Sequence, residues 1–137
     1  MKVYFACSIK GGGDTSNYQV IIESIKASGS EVLSEVFVND AISYGGSPLP
    51  ADQIYQRDIN WIREADIIVA EVTNPSLGVG YELSYAEQLQ KPILTLFHSK
   101  SDRKLSAMIA GNSYFENKIY SSSSDILNLV ALFMNKH

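Results

Sequence analysis

The stretch Ile67–Gln90, IIVAEVTNPSLGVGYELSYAEQLQ, decides how this chain is read. With the preceding aspartate it opens on Asp66–Val72 (DIIVAEV), the most apolar run of the chain and the expected central strand of a parallel sheet. Thr73–Gly80 (TNPSLGVG) follows as a polar, glycine-bearing turn. Tyr81–Gln90 then places Leu83, Ala86 and Leu89 for helical packing. Strand, turn and helix in this order build α/β sheets, whose ligands bind outside the carboxyl ends of the strands. Two acids stand out here. Glu71 lies within the strand, where it points into a pocket at the strand end or meets a lysine. Glu82 lies in the opening turn of the expected helix, where the dipole end favours its ionised form and burial opposes it. A first-turn acid that only improves the helix start is the plainer alternative.

Upstream, Ala51–Glu64 reads as a helix with Ile54, Trp61, Ile62 and Ala65 on one face. Asp58 falls on that face too, so it needs a partner: Arg57, Arg63 or a backbone N–H. Its pKa is open to an upward shift by burial. Asn39–Asp52 holds two glycines and two prolines with no apolar period, and is expected to be a loop, a candidate lid. Glu31–Phe37 (EVLSEVF) partly alternates and is expected to be the second strand. Asn17–Ser28 is the first helix, capped by Thr15 or Ser16 and ended by Gly29. Lys2–Cys7 (KVYFAC) is the first strand. It runs into Ser8-Ile9-Lys10-Gly11-Gly12-Gly13, a glycine-rich turn placed where α/β folds bind phosphate. That turn matches neither GxxxxGK[ST] nor GxGxxG, and a plain surface turn is the alternative.

Downstream, Lys91–His98 is the fourth strand, Leu105, Met108 and Ile109 give a short helix or ordered loop ended by Gly111, and Asn117–Ser121 is a fifth, short strand. Ser124 is expected to cap a last helix with Ile126, Leu127, Val130 and Phe133 on its apolar face. Strand and helix alternate throughout residues 1–137. Right-handed crossovers then give one α/β domain, a doubly wound five-stranded parallel sheet in the flavodoxin-like or Rossmann-like order 2-1-3-4-5. That order sets the first and third strands side by side, so the Ser8–Gly13 and Thr73–Gly80 turns flank one crevice.

The totals narrow the function. The 137 residues suit one core, with 45% hydrophobic and 19% charged residues. A net charge of −4 argues against a nucleic-acid surface, although a loop of backbone N–H groups can still hold one small anion. Cys7 is the only cysteine, which rules out an internal disulfide and fits a reducing cytosolic or nuclear compartment. The N-terminal apolar run is about five residues, short of the roughly 7–15 of a signal core. No stretch approaches the roughly 18 apolar residues of a membrane span. No metal-ligand cluster or GxSxG elbow is present, His98 reads as a strand-end histidine, and no cofactor is expected.

The crevice would hold Tyr4 or Cys7, Ser8, Lys10, Asn74, Ser76, Gly78, Glu82 and Asp58. An ionised, positioned carboxylate suits attack on an electrophilic carbon and a second suits proton delivery, which is the logic of retaining glycosidases. On residues alone, Ser76 is equally an N-cap and Tyr4 equally a core residue.

At these residues the chain resembles the nucleoside 2-deoxyribosyltransferase-like family, and within it the 2'-deoxynucleoside 5'-monophosphate N-glycosidases. The matching segments are SIKGG, RDINWIREADIIVAEVTNPSLGVGYELSYA and KLSAMI, and with the order of elements they cover most of the chain. The resemblance implies hydrolysis of the N-glycosidic bond of a deoxynucleoside monophosphate to free base and 2-deoxyribose 5-phosphate. It implies Glu82 as nucleophile, forming a covalent deoxyribosyl intermediate, with Asp58 assisting the base and Tyr4 positioning Glu82. Ser8, Ile9, Lys10, Gly11, Gly12, Ser76 and Gly78 match positions that bind phosphate and sugar. Ser106 would reach the phosphate of a neighbouring subunit, so a homodimer with a shared site is implied.

Two positions depart from the relatives. Lys10 stands in place of an arginine, keeping charge but losing bidentate geometry. Val36 stands in place of a histidine, which leaves base selection open. Ribose against deoxyribose, transfer against hydrolysis, and a non-catalytic nucleotide-binding module also remain as alternatives.

Overall fold

The computed structural model describes residues 1–9 and 15–137. The expected phosphate-loop residues Lys10, Gly11 and Gly12 lie outside the described residues. The elements are β1 (Lys2–Cys7), α1 (Thr15–Ala27), β2 (Glu31–Val32), α2 (Glu35–Tyr44), α3 (Ala51–Glu64), β3 (Ile67–Glu71), α4 (Leu77–Gln88), β4 (Ile93–His98), α5 (Ala107–Ala110), β5 (Glu116–Tyr120) and α6 (Ser123–Lys136). The five strands pair in parallel in the order β2-β1-β3-β4-β5, as the sequence predicts.

Alternation along the strands divides the core into two layers. Val3, Phe5, Ile67, Val69, Leu94 and Leu96 meet α1 and α6 on one face. Tyr4, Ala6, Ile68, Ala70 and Ile93 meet Ile62 of α3 and Leu83 and Ala86 of α4 on the other. The register pairs Tyr4 with Ile68 and Cys7 with Glu71. Tyr4 therefore faces the α3/α4 layer. Cys7 packs into the α1/α6 layer, where burial pushes its thiol up to about 12, so of the two crevice candidates only Tyr4 is on the Glu82 side.

Several boundaries differ from the sequence reading by a residue or two, and Thr15 and Ser16, expected as caps, lie inside α1; four further differences have a clear local cause. The second strand stops after two residues because Ser34, fully buried, takes over the ladder with its side chain. Its Oγ accepts from Phe5 N at 2.9 Å and donates to Phe5 O at 2.7 Å. The chain is thereby freed to turn into α2. Most of the expected loop Asn39–Asp52 is accordingly helix: Val38 and Ala41 are buried one turn apart, and Gly45 ends α2 at φ 74° with its N–H on Ala41 O. The left-handed conformation there suits glycine. Helix α4 begins at Leu77, four residues before its expected start, because Ser76 caps it through a hydrogen bond from Val79 N at 3.2 Å. Ser122, rather than Ser124, caps α6; Asp125 reaches back to Ser121 N at 2.8 Å, which lowers its pKa. Leu127 and Leu89, expected in the core, are 50% and 40% exposed.

Candidate active site

The early start of α4 moves Glu82 from the first helical turn to the second. The helix dipole acts within about one turn of the end, so it gives this carboxylate little. Burial dominates instead and pushes its pKa up to about 7, from 4.5. Three neighbours modify that shift. The Tyr4 hydroxyl, donating to Oε2, favours the ionised form, Asp58 opposes it, and Arg57 favours it. Tyr4 is itself buried, and burial together with the Glu82 charge raises its pKa well above the usual phenol value. It remains protonated and donates its hydrogen to the carboxylate. One carboxylate oxygen is thus held by a neutral donor.

The other oxygen, Oε1, faces the start of α4. A Cβ on Gly78 would sit 3.9 Å from Oε1 and 3.8 Å from Ser76 Oγ. The glycine leaves the carboxylate uncovered on that side, and Ser76 lines the same opening. In addition to capping, then, Ser76 borders the carboxylate, and Gly78 preserves access to it.

Asp58, on α3, meets Arg57: Nε donates to Oδ1 at 3.0 Å. Burial raises the Asp58 pKa and the arginine pulls it back. Arg57 is clamped between Phe37 of α2 and Trp61 of α3, at 4.8 and 4.7 Å from the ring centroids. Sequence reasoning offered Arg57 only as a partner of Asp58 and missed it as part of the site, because Phe37 was read as a strand residue. Arg63, the other possible partner, instead donates to the Tyr85 hydroxyl at 2.7 Å. Val36, at the position open for base selection, is 65% exposed.

At the end of β1, Ser8 is buried and its carbonyl accepts from the Tyr18 hydroxyl at 2.8 Å; Ile9 follows, half-buried. Because β1 and β3 are adjacent, this end and the Thr73–Ser76 turn border the same crevice. Glu71 does not join it. It faces the opposite layer, accepting from Thr73 N at 2.6 Å, Thr73 Oγ1 at 2.9 Å and Tyr120 OH at 2.5 Å. Among the described residues no lysine forms an ion pair with it; it borders a cavity of about 270 Å³ with His98 and Lys100, and it pins the turn that leads to α4. The His98 ring packs on Tyr120 at 4.8 Å, and its Nδ1 accepts from Lys100 N.

A cavity of about 440 Å³ lies along α4 and is bordered by Ser76, Gly80, Leu83, Ser106, Met108 and Phe115. Tyr4, Asp58 and Glu82 do not line it. Ser106 is exposed there, just before α5. Leu77 and Met108 stand at the same groove, 97% and 83% exposed.

Comparison with known proteins follows the same residues. The sequence model of the nucleoside 2-deoxyribosyltransferase family matches residues 3–125. The chain belongs to the nucleoside 2-deoxyribosyltransferase family. A 5-hydroxymethyl-dUMP N-hydrolase of Rattus norvegicus is 46% identical over 111 residues, 80% of this chain and 68% of the relative. The enzyme of the same name from Danio rerio is 46% identical over 115 residues, 82% of this chain and 80% of that one. Among solved structures, Clostridium botulinum CMP N-glycosidase BcmB superposes with a TM-score of 0.69 at 21% identity, covering 96% of this chain and 99% of that one. BlsM superposes with a TM-score of 0.77 at 20% identity, covering 98% of this chain and 90% of that one. At such identities the structural likeness establishes the shared fold.

Proposed function

We propose that this chain is a 5'-nucleotide N-glycosidase that hydrolyses 2'-deoxynucleoside 5'-monophosphates to free base and 2-deoxyribose 5-phosphate. The observation that carries this reading is the Glu82 carboxylate, with Oε2 held by Tyr4 and Oε1 open beside Gly78. Relatives named for hydrolysis of 5-hydroxymethyl-dUMP support the substrate class.

In this reading Oε1 attacks C1' of the sugar as the C1'–N bond breaks, and the bond's electron pair leaves with the base. A covalent deoxyribosyl–Glu82 ester results. The base takes up a proton, with Asp58, raised by burial, assisting. Water then bonds to C1' and gives a proton to Asp58, replacing the one passed to the base, while the ester breaks and the carboxylate is restored. Glu82 must be ionised to attack, so activity rises with pH through about 7. Ser8, Ile9, Lys10, Gly11 and Gly12, with Ser76 and Gly78, hold sugar and phosphate.

The site is completed by a second copy of the chain. Ser106 lines the groove on the flank of α4 away from Glu82, which suits it to a neighbour's phosphate rather than its own. The exposed Leu77 and Met108 at that groove give such a dimer an apolar face.

The test is direct. The protein is incubated with each deoxynucleoside and ribonucleoside monophosphate, with and without an acceptor base, and released base is measured by chromatography. Base release from deoxynucleotides without acceptor is expected. No release from any monophosphate overturns the glycosidase, and release only with acceptor makes the protein a transferase. Ser106→Ala is expected to lose activity while melting normally.

A further inference from the structure

Arg57 carries an atom that the fold leaves unsatisfied. The Phe37 and Trp61 rings fix the plane of its guanidinium, and Asp58 fixes its rotation within that plane through Nε. An arginine that meets a carboxylate along this edge commonly fills Nε and Nη2 together. Here Nη2, on the same edge as Nε, is buried and has no hydrogen-bond partner. Among the described residues no other buried side-chain nitrogen or oxygen is in that state. Buried donors are nearly always satisfied, so an open one calls for a missing partner. Its surroundings say where that partner sits: Arg57 and Asp58 both act electrostatically on Tyr4 and Glu82. The open N–H therefore belongs to the charged cluster around the Tyr4–Glu82 pair.

We propose that Arg57 is a leaving-group residue, its Nη2–H donating to the carbonyl oxygen next to the glycosidic nitrogen of an oxopyrimidine base. The inference rests on the N-glycosidase reading and names the base class for that site. When the C1'–N1 bond breaks, its electron pair enters the ring and spreads onto the adjacent carbonyl oxygen. A fixed cationic donor there stabilises the departing charge and gains strength as the bond breaks, which is what accelerates a reaction. Arginine keeps its proton at any working pH, so it supplies a hydrogen bond and the proton for the base comes from elsewhere. The pairing with Asp58 argues against a phosphate at this prong. The ion pair is neutral overall, and a phosphate would meet the carboxylate as closely as the guanidinium. A neutral base carbonyl meets no such repulsion.

The test is a leaving-group series. Release of base from dUMP and 5-fluoro-dUMP is measured for wild type, Arg57→Lys and Arg57→Met, with melting curves to confirm folding. The fluorine makes the base a better anion, so it needs less help. Arg57→Met is expected to lose roughly 100-fold in kcat/KM with dUMP, by analogy with removal of one oxyanion donor, and clearly less with 5-fluoro-dUMP. Arg57→Lys is expected to recover part of the loss. An equal loss for both substrates overturns the proposal, because a structural role or a prong filled by water takes no account of the leaving group. Should the variants not fold, the arginine side-chain N–H signals of the Glu82→Gln protein decide. Added dUMP is expected to shift them and 2-deoxyribose 5-phosphate to leave them in place; no shift with dUMP overturns the proposal. Absence of base release by wild type from any nucleotide, by contrast, removes the N-glycosidase reading itself.

Discussion

Tyr4→Phe isolates one hydrogen bond in the candidate site. The ring stays in the core between β1 and α4, and only the hydroxyl that donates to Glu82 Oε2 is lost. That bond favours the ionised carboxylate against burial, so its removal raises the Glu82 pKa. A hydrogen bond to a charged group contributes about 1.5–3 kcal/mol, and one pH unit corresponds to about 1.4 kcal/mol, so the shift is about 1–2 units. From about 7 the pKa then moves to about 8 or 9. The nucleophile must be ionised, hence the acid limb of kcat/KM moves to higher pH by the same amount. Near neutral pH the variant loses roughly 5–50-fold, and the loss shrinks as pH rises past the new midpoint. The assay is base release from a deoxynucleotide across the pH range, with a melting curve at each end to confirm folding. An acid limb that stays in place, or moves to lower pH, refutes the assignment of Tyr4 as the group that holds Glu82 ionised.

Other predictions follow from the same neighbourhood. Glu82→Gln is expected to abolish base release yet stabilise the protein. The folded carboxyl has its pKa raised from 4.5 to about 7, so the folded state binds more protons than the unfolded one between those values, and wild-type stability falls as pH rises through that window. The gain for the variant is at most about 3 kcal/mol above neutral pH and disappears near pH ~4, as read from denaturant midpoints; a constant gain at every pH contradicts the raised pKa. Gly78→Ala is expected to add about 0.4–1 kcal/mol of stability in α4 while lowering kcat/KM, because the new methyl covers Oε1. Full activity in that variant would mean that Oε1 is not the attacking oxygen. Ser34→Ala leaves Phe5 N and O without their partners and is expected to cost roughly 2–4 kcal/mol in urea unfolding; a cost under ~1 kcal/mol would show that β2 does not depend on this side chain.

Much of this arrangement is legible in the sequence because burial writes itself into composition. The runs at Lys2–Cys7, Ile67–Glu71 and Ile93–His98 are apolar enough to be read as inner strands, and a strand–helix alternation fixes a parallel sheet order almost by itself. Ala51–Glu64 was readable to the residue, since its one-sided pattern holds over four turns. The failures have a common cause: a single side chain overrides a local pattern. Ser34 ends β2 where EVLSEVF alternates well enough to continue. Ser76 starts α4 ahead of two glycines that look like a turn. Both errors touch the site. The first hid Phe37 as a stacking partner of Arg57, and the second credited Glu82 with a helix-end field that it does not have. Asp58 was conspicuous as an acid on an apolar face, whereas Glu82 and Tyr4 had plainer readings and were singled out by the family resemblance. The missing hydrogen bond at Arg57 Nη2 has no counterpart in sequence, since it depends on where two rings and a carboxylate meet in space.

The central claim is that Glu82 bonds to the sugar before water does, and stereochemistry tests it most directly. Natural nucleotides carry the base on the β face. Two successive displacements at C1' return the β configuration, whereas direct attack by water on the far face inverts it. With dilute methanol competing against water, the anomer of the methyl 2-deoxyriboside 5-phosphate is fixed when it forms and can be read by NMR. Attack on a glycosyl–Glu82 ester predicts the β-methyl product from wild type and none from Glu82→Gln. An α-methyl or anomerically mixed product would contradict the covalent intermediate.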